Sequence, residues 1–284
     1  MEAGEGRVSA RNRGTLARRL GLILLLVGLS RAALADPGPN TVMIEDLTWP
    51  EIKARMAAGA TTIIVPTGGT EQNGPHMVLG KHNYIVAYTA QQIARRLGNT
   101  LVAPVLAYVP EGSWDPPEGH MRFPGSISVP DPIYEGVLES TVHSFAAEGF
   151  KAILFLGDSG PNQHPQEVVA KKMDAELKPR GIRVLQIGDY YAHNGQVEWL
   201  KSQGYSEADI GVHAAIADTS QLMAIRPDGI RTELLQSSAG NADGSKNGVI
   251  GDPAKASAAV GQQLLELKIQ TAVREIREKL GAGP

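Results

Sequence analysis

Glu71, Asn73, His76 and His82 fall within one stretch, GGTEQNGPHMVLGKHN (68–83), directly after an apolar run. Carboxylate, amide and imidazole donors of this kind suit Zn²⁺, Mn²⁺ or Fe²⁺. Glycines at 68, 69, 74 and 80 permit tight turns and close backbone approach. A second glycine-containing stretch, 157–164, adds Asp158 and, further on, His164. One Glu, one His and one Asp around an ion, with water in an open position, would polarise a carbonyl and lower the pKa of that water. On spacing alone, a glycine-rich turn with solvated polar residues reads the same way. Trp114 sits in a Pro- and Gly-rich loop over 110–126 and offers a flat face for a substrate ring. The chain has no cysteine, so any metal must be held by His, Asp, Glu or Asn.

These residues need elements to position them. A β-branched run at 61–65 predicts a buried strand, and the 68–83 stretch follows it. Helical periodicity over 83–97 stops at Gly98. Further strands are expected at 101–109, 151–156 and 184–187, with helices over 133–147, 166–177 and 212–223. A short helix near Trp49 and Pro50 precedes them, and a long one runs from Asp252-Pro253 to about Leu280. Strand and helix alternate without repeats, which predicts βαβ units around a mostly parallel sheet with helices on both faces. The expectation is a three-layer α/β/α domain over 36–284. Sites in such folds lie beyond the carboxyl ends of the strands, where 66–82 and 157–164 fall.

Composition narrows the function classes. With 284 residues, 42% hydrophobic and 20% charged, the chain can bury a large core. A net charge of −3 and 5% aromatics argue against a nucleic-acid partner. At the N-terminus, Arg11, Arg13, Arg18 and Arg19 precede the apolar run LGLILLLVGL (20–29) and the small-residue site Ala33-Leu34-Ala35. That pattern is a secretory signal peptide over 1–35. The run is too short for comfortable spanning. The expectation is an exported protein, periplasmic or secreted, with no stable membrane insertion after cleavage.

Five ordered segments carry a resemblance. TGGTEQNGPHMVLGKHN (67–83) resembles G-S-T-E-Q-H-G-P-H-L-P-L-G-T-D, the signature loop of the creatininase family of amidohydrolases. EGHMRFPGSIS (118–128), LFLGDSGPN (154–162), HAAIADTSQLMAIRPD (213–228) and GVIGDPAKASAAVG (248–261) resemble its E-H-x-x-F-P-G-T, N-G-H-G-G-N, H-A-G-E-x-E-T-S and G-D-P-x-x-A-S segments. The resemblance implies a layered α/β fold and a metal-dependent hydrolase of amide or cyclic amide C–N bonds in a small molecule. It also implies a homo-oligomer, often a hexamer.

The resemblance implies two metal ions beside the signature loop, and here the ligands depart from it. Glu71 is retained. Asn73 stands for a His, His82 for the bridging Asp, Asp158 for a His, Ile216 for a Glu, and Gly160 for another Glu. The first ion's set becomes Glu71, His82 and Asp158, the same three residue types with Asp and His exchanged. The expectation is one ion per chain, Zn²⁺ or Mn²⁺ with Fe²⁺ as a third option, and Asn73 as fourth ligand or hydrogen-bond donor. By resemblance His213 is the general acid/base beside Glu71, and His76 orders its loop. His120 faces substrate, and Asp218 is a supporting partner near it. The alternative is a non-catalytic periplasmic protein that binds a small ligand on the same scaffold.

Overall fold

A computed structural model describes residues 39–281. The expected signal peptide, 1–35, lies outside the described residues. Four strands, β1 (Thr62–Thr67), β2 (Thr100–Val102), β3 (Ala152–Gly157) and β4 (Arg183–Gln186), form one parallel sheet in the order β2-β1-β3-β4. β1 and β3 are buried along their whole length, as sequences TIIVPT and AILFLG require.

Helices make the crossovers. α1 (Trp49–Ala57) precedes β1, α2 (Lys81–Leu97) links β1 to β2, α3 (Asp131–Glu148) links β2 to β3, and α4 (Gln163–Leu177) links β3 to β4. Then follow α5 (Gln196–Ser202), α6 (Glu207–Ile210), α7 (Ile216–Ile225) and α8 (Ala258–Leu280). Successive strand residues point to opposite faces. Ile63, Val65, Ile153 and Phe155 therefore pack with Leu138, Val142, Val169 and Met173 of α3 and α4. Ile64, Leu154 and Leu156 pack with Val86, Ala90, Ile269 and Ala272 of α2 and α8. This is the three-layer α/β/α arrangement. Among the described residues no helix is long and apolar enough to cross a membrane.

Boundaries differ from the sequence expectation in ways that matter. β2 covers three residues rather than nine, because Pro104 has no N–H for the ladder. α2 ends where expected, at Gly98 in the left-handed region (φ 81°), whose N–H bonds to Ala94 O. It begins earlier, at Lys81, which places Lys81 and His82 in its first turn. α8 starts at Ala258, with the Ser257 side chain accepting from Val260 N, rather than at Asp252. The chain leaves β1 toward β2 on one side, while β3 lies on the other. The carboxyl ends of β1 and β3 are thus a topological switch point, where such sheets open a crevice.

Candidate functional site

The loop after β1 carries Glu71 and is braced from within. Asn73 Nδ2 donates to the carbonyls of Glu71 (3.0 Å), Val78 (3.1 Å) and Leu79 (3.3 Å), so this amide ties the loop to itself. His76 Nε2 lies 3.0 Å from Thr219 Oγ1 on α7, and burial, the dominant cause, brings the His76 pKa down to about 4. After β3, Asp158 N donates to Thr67 O at 3.0 Å, holding the second loop against the first.

Four carboxylates and three cationic groups converge where these loops meet. Glu71 Oε1 lies 3.2 Å from Lys81 Nζ and 2.9 Å from His82 Nε2. These are ion-pair distances without well-directed hydrogen bonds to that oxygen. His82 Nδ1 lies 2.7 Å from Asp158 Oδ2, so the imidazole bridges two carboxylates. Asp158 Oδ1 accepts from Tyr190 Oη at 2.7 Å and from Lys268 Nζ on α8. Lys81 Nζ also donates to Asp218 Oδ2 at 2.9 Å.

Burial opposes the charges on Glu71, Asp158, Asp218, Lys81 and His82, and their partners overcome it. The Glu71 carboxyl is held well below the usual range because Lys81 and His82 outweigh desolvation. Asp158 and Asp218 are lowered in the same way, by Lys268 and His82 and by Lys81 and His82 respectively. Lys81 and His82 are raised: carboxylates override burial in both, and in His82 also the neighbouring Lys81. The fourth carboxyl differs. Burial, and then the charge of Glu71, push Glu111 up to about 10, so it stays protonated.

Two further imidazoles face Glu71 from the open side. His120 Nε2 is 3.1 Å from Glu71 Oε2, and His213 Nδ1 is 3.6 Å from Oε1. Burial lowers both pKa values, His213 to about 4, which keeps the rings neutral. His213 Nε2 lies 2.9 Å from the Gln72 carbonyl oxygen. The Gln72 side-chain nitrogen also lies 3.1 Å from Nε2. In the tautomer that donates Nε2–H to the carbonyl, Nδ1 presents a lone pair toward the carboxylate. Two electron-rich atoms in that arrangement call for a proton or a cation between them. Glu71, His120 and His213 each bring one ligand atom within 4.8 Å of the others. A carboxylate and two neutral imidazoles form a donor set that fits one divalent ion. They line a cavity of about 590 Å³, together with Lys81, Asp218, Arg122 and Tyr191. That size suits a small-molecule ligand.

Residues 45–276 match the creatininase family, described as creatinine amidohydrolase. The chain belongs to the creatininase family. Creatinine amidohydrolase of Pseudomonas putida is 27% identical over 197 residues, 66% of this chain and 74% of that protein. The mycofactocin precursor peptide peptidase of Mycolicibacterium smegmatis is 27% identical over 221 residues, 71% and 78% of the two chains. The 3-dehydro-scyllo-inosose hydrolase of Thermotoga maritima is 26% identical over 199 residues, 69% and 60%. By fold, the chain resembles a crystal structure of creatininase at TM-score 0.70 and 24% identity, over 85% of this chain and 98% of that one. A manganese form of creatininase superposes at TM-score 0.69 and 24% identity, over 84% and 98%.

Within this creatininase-family site, the expected residues separate into groups. Glu71, His120, His213 and Asp218 meet at the cavity. His82 and Asp158 join Glu71, but as a chain of ion pairs rather than as an open donor set. Both His82 nitrogens face carboxylates, and both Asp158 oxygens face donors. The three-ligand cluster thus differs from the expected Glu71, His82, Asp158 and Asn73 set, and shares only Glu71 with it. Asn73 is committed to backbone carbonyls. Trp114 is 56% exposed and does not line the cavity. His143 and His164 are exposed on helices.

Sequence reasoning passed over Lys81, Lys268, Tyr190 and Glu111. Two of these left a signal. Lys81 stands inside the signature loop where the motif has Thr, and Lys268 interrupts an apolar stripe of α8 between Leu264, Leu265 and Ile269.

Proposed function

We propose that this protein hydrolyses an amide or other C–N bond in a small molecule, with one divalent ion, Zn²⁺ or Mn²⁺, held by Glu71, His120 and His213. The observation that carries the reading is the facing pair of His213 Nδ1 and Glu71 Oε1 at 3.6 Å, with His120 Nε2 on the other carboxylate oxygen at 3.1 Å. When bound, such an ion supplies Lewis acidity and lowers the pKa of a coordinated water. The chain's own groups do the rest. Gln72 contacts both rings: its Nε2 lies 3.2 Å from His120 Nδ1 and 3.1 Å from His213 Nε2, and its main-chain carbonyl lies 2.9 Å from His213 Nε2. Lys81 keeps Glu71 ionised. The Tyr191 hydroxyl, protonated at neutral pH as an ordinary tyrosine is, offers a hydrogen bond at the cavity wall to a substrate oxygen. The acid/base role expected of His213 and a ligand role draw on the same lone pair, and this reading gives that lone pair to the ion.

The names of two relatives, a creatinine amidohydrolase and a peptide peptidase, support C–N chemistry. The test is hydrolysis of lactams, hydantoins, imides, formamides and short peptides, with and without chelator. Turnover that requires metal and is lost in Glu71→Gln supports the reading; turnover retained in Glu71→Gln defeats it. The second reading is a small-ligand-binding protein without catalysis. In its favour, Asp158 is already saturated by His82, Tyr190 and Lys268. It expects ligand capture in the cavity and no turnover across the panel. We also propose export and homo-oligomeric assembly; N-terminal sequencing of the mature protein and its mass in solution test these.

A further inference from the structure

We infer that the Lys81 ammonium is a built-in replacement for a second divalent ion. The inference rests on the one-ion reading above and concerns the other half of the same carboxylate cluster. Lys81 Nζ sits between carboxylates from two elements, 3.2 Å from Glu71 Oε1 and 2.9 Å from Asp218 Oδ2, and its side chain is wholly buried. A lysine stem is long and flexible enough to bring its head to water from most positions. This one turns inward, although the first turn of α2 carries partial positive charge that disfavours a cation. Something in the site outweighs both effects, and the flanking carboxylates supply it.

Asp218 is set to meet the ammonium. Its Oδ2 also accepts from Ala214 N at 2.8 Å. Ala214, at φ 51°, is the only non-glycine residue with positive φ among the described residues. A backbone conformation that L-residues avoid is retained where it fixes that N–H against the carboxylate. The chain around Lys81 tells the same story. The motif has Thr and Asp at the positions of Lys81 and His82, so the change that removes a carboxylate and the change that adds an ammonium are neighbours. Asp158 meanwhile pairs with His82 and Lys268. Glu71, Asp158 and Asp218 each have a cationic partner from the chain, which leaves the gap between Glu71 Oε1 and His213 Nδ1 for a single ion.

The test counts ions. Full-length protein, stripped with chelator and titrated with Zn²⁺ alone, is measured by native mass spectrometry beside Lys81→Met, Lys81→Gln and Lys81→Arg. The expected result is one Zn²⁺ per chain in the unaltered protein and in Lys81→Arg, and two in Lys81→Met and Lys81→Gln. Zn²⁺ should also raise the thermal midpoint of Lys81→Met more than that of the unaltered protein. A Lys81→Met chain that folds only with Zn²⁺ present counts as the same result. No ion in the unaltered protein and one in Lys81→Met upholds the replacement while defeating the one-ion reading. Equal counts in the unaltered protein and Lys81→Met, two ions in the unaltered protein, or a gained ion in Lys81→Arg each overturn the inference. Failure of Lys81→Met and Lys81→Gln to fold at any Zn²⁺ concentration also overturns it, since a divalent ion should then supply the missing charge.

Discussion

Replacing Glu111 with Gln should make the protein more stable at neutral pH. Glu111 is 1% exposed, Ser159 Oγ approaches its Oε2 at only 3.5 Å, and its Oε1 has no hydrogen-bond partner. Burial first, and Glu71 second, push its carboxyl to about 10. In the unfolded chain the same group releases its proton near 4.3. Below that value both states are protonated and the group costs nothing. Above it the unfolded state is favoured by about 1.4 kcal/mol for every pH unit, until the folded carboxyl also ionises. Between about 4.3 and 7 this amounts to roughly 3–4 kcal/mol, and sharing of the titration with Glu71 trims it to about 2–3 kcal/mol. Gln keeps the shape of a neutral carboxyl and never ionises. Glu111→Gln should therefore gain about 2–3 kcal/mol at neutral pH, or roughly 4–12 °C in midpoint for a domain of this size. Urea unfolding across a pH series between about 5 and 8 reads it directly. The gap between variant and unaltered protein should widen as pH rises. A gap independent of pH, or a variant that is less stable at neutral pH, would refute the reasoning.

Lys268→Met leaves Asp158 buried with only His82 and Tyr190, and should cost about 3–5 kcal/mol in chemical denaturation; adding Asp158→Asn should recover part of that loss. Because the Asp158 carboxyl is held below its ordinary value, the stability it contributes is present above about pH 4 and is lost as pH falls through its folded value. An acid titration of stability should be shallower in the double variant. His213→Ala removes one arm of the donor cluster and should abolish Zn²⁺ binding measured by calorimetry, while circular dichroism stays unchanged. Tyr191→Phe removes one cavity hydrogen bond and should lower kcat/KM roughly 5- to 100-fold, with stability within about 0.5 kcal/mol.

The layers were legible because strand and helix alternate in the sequence with clear periods and glycine stops. β1 and β3 read as continuous apolar runs, which is what a parallel sheet covered on both faces demands. The polar segments 187–195 and 203–206 hid the short helices α5 and α6, whose packing is tertiary rather than periodic. Glu71 was legible in the loop after a strand, and His120, His213 and Asp218 through segments that resemble the family; all four line the cavity. Their division of labour was not, because it depends on groups that look like solvated charges in one dimension. Lys81 and Lys268 were passed over, since a lone lysine in a sequence carries no sign that α2 and α8 turn it inward. His82 read as a donor until its two nitrogens were placed between Glu71 and Asp158. Trp114 read as a substrate platform because an aromatic residue in a loop carries no sign of which way the loop turns.

Lys268 and Asp158 are 110 positions apart in the chain, Lys81 and Asp218 are 137 apart, and Gln72 and His213 are 141 apart. A pairing scheme of that span has a consequence for modularity. Contacts so remote in sequence form late, after long loops have closed. They also link the two sequence ends of the described fold into one cooperative unit. Glu71 has Lys81 and His82 close by in sequence, but Asp158 and Asp218 lie far from their counter-ions, so cutting or opening the chain at one loop would strand those buried carboxylates elsewhere. Grafting the 68–83 segment onto another scaffold would carry Glu71 with Lys81 and His82 and leave behind Asp158 and Asp218, the carboxylates that complete the pairing of those two cations.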